Sequence, residues 1–340
     1  TNSGTTSAIT ISGALTVDGG TIKLDGNYPT GTDNVAMGDT ALDSVEAGGI
    51  NNVAIGDHAG TAITTGDCNV AVGKSALEAT TTASDNVAIG FRALCTNTTG
   101  YSNISIGSYS SDANTEGFEN VAIGVSSLGA NTTGDCNVGV GRNALRSNTT
   151  AGNNTAIGTN ALCSNTTGCI NVAVGEDAMK ANTTGEFNAA MGSGAMQTNT
   201  TGGENTGSGY NALALNTTGC KNSAFGKSSL ESNTTADCNT AVGYNALKAN
   251  TTGTENVAVG SGALDSNTTA GCNTSIGHGS MGDNTEGANN AAVGRSALGS
   301  NTTGTSNVAV GRNSLTLNTT AQGNTATGAF ALDKNTTGAN

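Results

Sequence analysis

The chain has 340 residues, of which 51 are glycine and one is proline, with no tryptophan and five residues each of Phe and Tyr. A globular core of that length needs aromatic and branched side chains in bulk, and this composition cannot supply them. The formal charge of −13, with no basic stripe and no interleaved aromatics, argues against nucleic acid as a partner. No run of about 18 apolar residues is present to span a bilayer.

Taken in chain order, residues 1–33 come first and stand outside everything that follows. Ala8-Ile9-Thr10-Ile11 and Leu15-Thr16-Val17 alternate as strands do, Gly19-Gly20 reads as a turn, and Thr21-Ile22-Lys23-Leu24 continues beyond it. This segment is expected to be a β lead-in, or a connection to a preceding segment. It has no initiating Met and no signal-peptide pattern, so the sequence reads as part of something longer.

From residue 34 to 340 one unit recurs. Its opening Asn stands at 34, 52, 69, 86, 103 and then every 17 residues to 324, and only the first interval is 18. The eighteen units share N-V-A-[VI]-G-x-x-[AS]-L-x-x-N-T-T-G-x-x. Low complexity alone would suggest disorder, but a disordered chain does not place Val, Ile and Leu at a fixed period. Strict periodicity is the signature of a solenoid.

The unit predicts one strand per turn. Positions two and four carry β-branched residues such as Val87 and Ile89, which point to one face of a strand. The Leu or Met of position nine is their expected partner across a thin core. Position five is Gly in all eighteen units, which predicts positive φ or a close backbone approach. Positions six and seven vary and read as an exposed loop.

Position three is Ala, Ser or Gly throughout. Facing away from the Val/Ile pair, it is either the tight interior of a very thin coil or a subunit interface along a symmetry axis. From Asn97 to Asn335 position twelve is always Asn, and stacked Asn predicts an amide ladder, each carbonyl accepting from the next coil. A helical unit is disfavoured, because one short helix interrupted by an invariant Gly would be marginal. The expected fold is therefore an all-β parallel β-solenoid of about eighteen 17-residue coils, stacked at about 4.8 Å into a rod of roughly 80–90 Å.

The pentads Asn52-Val-Ala-Ile-Gly56 and Asn120-Val-Ala-Ile-Gly124, each with Ala or Ser three residues after the Gly, resemble the head repeats of the YadA family of trimeric autotransporter adhesins. Similar tandem motifs occur in bacteriophage tail-fibre proteins, which the stretch Thr21–Leu42 resembles most. The resemblance implies a left-handed β-roll and a homotrimer. The adhesin unit is shorter and lacks a regular Asn-Thr-Thr-Gly corner, which leaves handedness, outline and trimerisation open.

Residues able to carry chemistry are few. His58 and His278 lie thirteen coils apart, and the carboxylates fall on loop positions with no phased pair. No catalytic, cofactor-binding or metal-ligating residue is expected, and no enzyme activity. Of eight cysteines, only Cys220 and Cys238 occupy neighbouring columns on neighbouring coils, where a disulfide could form. Mostly unpaired thiols fit assembly in a reducing cytosol. Asn-Thr-Thr recurs, as at Asn97, Asn131 and Asn148. It reads either as a row of N-glycosylation acceptors or as a corner whose Asn and Thr satisfy backbone groups.

The functional expectation is a non-enzymatic structural fibre segment, that of a virion (phage tail) fibre supporting host attachment. The alternative is an extracellular adhesin or glycosylated filament subunit of a microbe. Expected partners are further copies of the chain and a host surface receptor or glycan; the expected location is virion or extracellular.

Overall fold

The structure, a computed structural model, describes residues 33–46 and 48–338. Eighteen three-residue strands, from β1 (Val35–Met37) to β18 (Thr325–Thr327), form one parallel sheet in which each strand pairs with the next in sequence. Register is position on position: Val70 lies against Val87, Ala71 against Ala88 and Val72 against Ile89. Each turn of chain is thus one coil, and the parallel β-solenoid is the observed fold. The β lead-in expected over residues 1–33 lies, apart from Asp33, outside the described residues.

Backbone bonding runs from coil to coil around nearly the whole circuit. Val87 N donates to Asn103 O at 2.8 Å, and Gly107 N donates back to Ile89 O at 2.8 Å. Away from the strand, Leu94 N donates to Ser110 O at 3.0 Å and Thr98 N to Thr115 O at 2.9 Å. A backbone group left unpaired inside so thin a coil would cost roughly 1–3 kcal/mol, and this ladder removes that penalty at every turn.

The orientation of the strand corrects the expectation. The Ala of position three faces inward and the Val/Ile pair faces out: Ala88 is fully buried, whereas Val87 is half-buried and Ile89 exposed. Six positions point inward (one, three, eight, nine, twelve and fifteen), as the Asn86 coil illustrates with Asn86, Ala88, Ala93, Leu94, Asn97 and Gly100. The interior therefore holds one large apolar side chain per coil, the Leu or Met of position nine, wedged between two alanines. Volume decides the matter: a second β-branched pair would not fit. Position three is small because it is the tight interior side, and of its two readings this is the one observed.

The invariant Gly satisfies both reasons given for it. Gly175 has φ of +135°, and a Cβ there would lie 2.6 Å from the backbone of Gly192 on the next coil. Unforeseen is the conformation of position nine. Leu77, Leu94 and Leu145 sit at φ of 52°, 53° and 53°, in the left-handed region that costs a non-glycine residue roughly 1–2 kcal/mol. Full burial of the side chain offsets that cost. Position seven, read as unconstrained, is also left-handed, which explains its recurrent Asn, Ser and Gly.

Two rows of side-chain amides thread the interior. At position twelve Asn114 Nδ2 donates to Asn97 Oδ1 at 2.9 Å and to Gly117 O at 3.0 Å, and Asn131 repeats this against Asn114. This is the expected ladder. The opening Asn forms a second one: Asn103 Oδ1 accepts from Asn120 N at 3.0 Å and Asn120 Nδ2 at 3.2 Å. Beside the first row, Thr115 Oγ1 donates to Thr132 O at 3.2 Å.

The two exceptions in the Leu column differ. Gly60 is compensated, because Ile63 replaces Asn at position twelve and its Cδ1 reaches within 3.0 Å of where a Gly60 Cβ would stand. Ser111 has no such substitute. Its coil also carries Ser105 and Ser110 inside, the Ser105 and Ser111 hydroxyls have no hydrogen-bond partner, and the buried apolar core divides into two clusters on either side.

Candidate functional site: an apolar sheet face

Since positions two and four point outward, the eighteen strands present two rows of side chains to solvent. The row at position four is apolar in all coils except those with Ser208 and Thr327, the row at position two is Val or Ile in ten coils and Thr, Ser or Ala in the other eight, and neither row contains a charged residue. Ile55, Ile89, Ile123 and Ile157 are 37–41% exposed, and Met191 reaches 47%. Seventeen steps of about 4.8 Å give a band about 80 Å long and about 10 Å wide, on the order of 800 Å². The largest apolar patch on an ordinary monomer is roughly 300–600 Å². Sequence reasoning missed this surface because it sent the Val/Ile pair to the core; the absence of charge from both columns was the signal available.

The polar groups singled out in the sequence are placed as follows. His58 and His278 stand far apart on the loop edge. His58 Nδ1 lies 2.6 Å from Asp57 Oδ1, and Lys74 Nζ lies 2.9 Å from Asp57 Oδ2. Lys74 first, then His58, holds the Asp57 carboxyl below its usual range. Among the described residues no group of three or more His, Cys, Asp or Glu is placed to hold a metal ion. Among the described residues no helix is long and apolar enough to cross a membrane.

All eight cysteines are free thiols. Cys238 N donates to Cys220 O at 3.1 Å, so the two residues are adjacent as their columns suggested. The Cys220 thiol nevertheless accepts from Gly203 N on the preceding coil at 3.4 Å and donates to Thr218 O of its own coil at 3.4 Å.

The Asn-Thr-Thr asparagines are interior. Asn97, Asn131 and Asn148 are 1% exposed or less. Both amide protons of Asn131 and of Asn148 are used within the ladder and on the carbonyl of position fifteen. A glycosyl group on Nδ2 would have to break that ladder, so in the folded rod these residues act as corners.

No family model matches the chain, and no curated protein is significantly similar to it.

Proposed function

We propose that the chain is a non-enzymatic structural rod that packs through its apolar sheet face against further copies of itself, as a homotrimeric fibre segment. One observation carries this reading: an uncharged outward face along the stack of strands, apolar at position four in sixteen of the eighteen coils and polar across its whole width only at Thr206/Ser208 and Thr325/Thr327. Its area of about 800 Å², divided in a trimer between two neighbours, still exceeds the apolar patch of an ordinary monomer. A cyclic arrangement supplies the right occupant, since copies in the same orientation and register meet apolar row to apolar row. The resemblance of the Asn-Val-Ala-Ile-Gly pentads to trimeric adhesin heads and to tail-fibre repeats favours three copies and a left-handed coil. On this reading the rod sets reach for host attachment in a virion or extracellular fibre. The buried Asn corners favour that over a glycosylated filament.

The experiment is native mass measurement of the wild type and of a triple variant, Ile123→Lys, Ile157→Lys and Val174→Lys. These side chains point to solvent within the chain, so the coil tolerates them, whereas three cations in an apolar contact do not. The wild type is expected as a trimer and the variant as a monomer with an unchanged β spectrum. A wild type that is monomeric at micromolar concentration would remove the proposal.

A further inference from the structure

Away from the strand face, the turn segments of positions six to eleven carry two grooves of related construction. One, of about 370 Å³, is lined by Tyr244, Ser261, Gly262, Asp265, His278 and Asp283 among others. The second, of about 400 Å³, is lined by Tyr109, Asp112, Ser126, Gly129 and Arg146 among others. In each, position ten is Asp on one coil and Gly on the next. A Cβ on Gly282 would lie 3.5 Å from Asp265 Oδ1, and one on Gly129 would lie 3.5 Å from Asp112 Oδ1. The step of carboxylate over glycine is thus built twice, nine coils apart, with a tyrosine at position six of the preceding coil in the first groove (Tyr244) and at position seven of the same coil in the second (Tyr109).

The first groove has a readable shape. In the column of position six, Tyr244 and His278 stand two coils apart with only Ser261 between them, and Gly262 and Gly279 remove the side chains of position seven. Two steps of about 4.8 Å leave about 9.6 Å between the two ring-bearing coils. Lys227 lies over the Tyr244 ring from the preceding coil, at 6.0 Å from its centroid, which leaves the other ring face toward the gap. Such a slot takes one flat-faced ring with C–H groups on its faces and hydroxyls on its edge, the amphipathic shape an aromatic wall and carboxylate acceptors complement.

The geometry points to these two grooves as binding sites for a neutral pyranose saccharide, its ring stacked on the tyrosine and its hydroxyls donating to Asp265 and Asp283, or to Asp112 in the second groove. The paired carboxylates exclude anionic sugars from the first. Burial holds the Asp265 and Asp112 carboxyls above the usual range, against the smaller opposing pull of Lys248 on the first and Arg92 on the second, consistent with acceptors drawn out of water. The inference stands apart from self-association, because no residue of the strand face takes part.

The test is calorimetric titration of the intact chain with the methyl pyranosides of glucose, galactose, mannose and N-acetylglucosamine, with calcium chloride and putrescine as cationic probes. The filling variant is Gly262→Asn with Gly279→Asn. Asn occupies this same left-handed position at Asn143, Asn211 and Asn245, with φ of 54–58°, so the coil keeps its fold while the slot is closed. At least one pyranoside is expected to bind with two sites per chain, falling to one in the filling variant. A double variant, Asp112→Asn with Asp265→Asn, is expected to weaken binding at least tenfold. No binding by any pyranoside, a stoichiometry untouched by filling, or binding of calcium or putrescine in place of sugar would each overturn the assignment.

Discussion

Restoring leucine to the one uncompensated gap in the core column, Ser111→Leu, should stabilise the middle of the rod. Ser111 is 2% exposed, lies between the fully buried Leu94 and Leu128, and leaves its hydroxyl unpartnered. Its φ of 45° is already close to the 53° and 51° of those leucines, so the substitution asks nothing new of the backbone. Burying a leucine side chain contributes about 1.5–3 kcal/mol, and removing an orphan hydroxyl about 1–3 kcal/mol. Some is lost to imperfect fit, leaving a net of about 3 kcal/mol. A stack of coils does not unfold as one unit, so the readout is native-state hydrogen exchange across residues 94–128, not a single melting temperature. Exchange there should slow roughly a hundredfold, at about 1.4 kcal/mol per factor of ten, while coils beyond residue 200 stay unchanged. Exchange that is unaltered or faster would refute the reasoning: the column would then have no room for the leucine.

Four further outcomes follow from particular contacts. Gly175→Ala should part the coils on either side, costing several kcal/mol, because the Cβ meets the Gly192 backbone at 2.6 Å and φ is +135°; a rise in protease cutting near residue 175 reads it. Gly139→Ala should be destabilising alone, since its Cβ would come within 2.5 Å of Ser127 Oγ, and nearly neutral with Ser127→Ala, a coupling of about 1–3 kcal/mol in a double-mutant cycle by native-state hydrogen exchange of the surrounding coils. Asn199→Asp would set a carboxylate against Asn182 Oδ1 and Gly202 O, now 2.8 and 2.9 Å from its amide nitrogen, and should cost about 3 kcal/mol or more at neutral pH, recovering as acid restores a proton, by the same measurement. Asp265→Asn should stabilise the surrounding coils near pH 7, read by their native-state hydrogen exchange. Its folded carboxyl is held above the usual value, so the folded state takes up a proton more readily than the unfolded one and loses stability as pH rises through that window; the gain should vanish below about pH 4.

Much of this architecture was legible because a repeat displays each contact many times. The period located every strand, the Gly column announced a backbone approach, and Asn97 to Asn335 announced an amide row. Which side of the strand faced inward was not legible. A Val-Ala-Val pattern has the same alternation either way, and only the volume left beside one Leu per coil decides it. The left-handed Leu of position nine was hidden for a related reason: residue type signals that conformation for Asn or Gly, whereas for Leu77 it is imposed by burial. The grooves escaped notice because they arise where the consensus lapses. Gly129 and Gly282 at position ten, and Gly262 and Gly279 at position seven, look like noise in a column until neighbouring coils are laid over them. The expectation of scattered carboxylates likewise overlooked that Asp265 and Asp283 come to line one groove.

The position-on-position register also makes the length of the rod a freely adjustable quantity. Removing or adding one whole unit anywhere within the regular stretch restores the same neighbours on both sides, and shifts the far end by one step of about 4.8 Å. Gain or loss of whole units would therefore act as a ruler. It alters reach in even increments, with no new contact to be invented at the join.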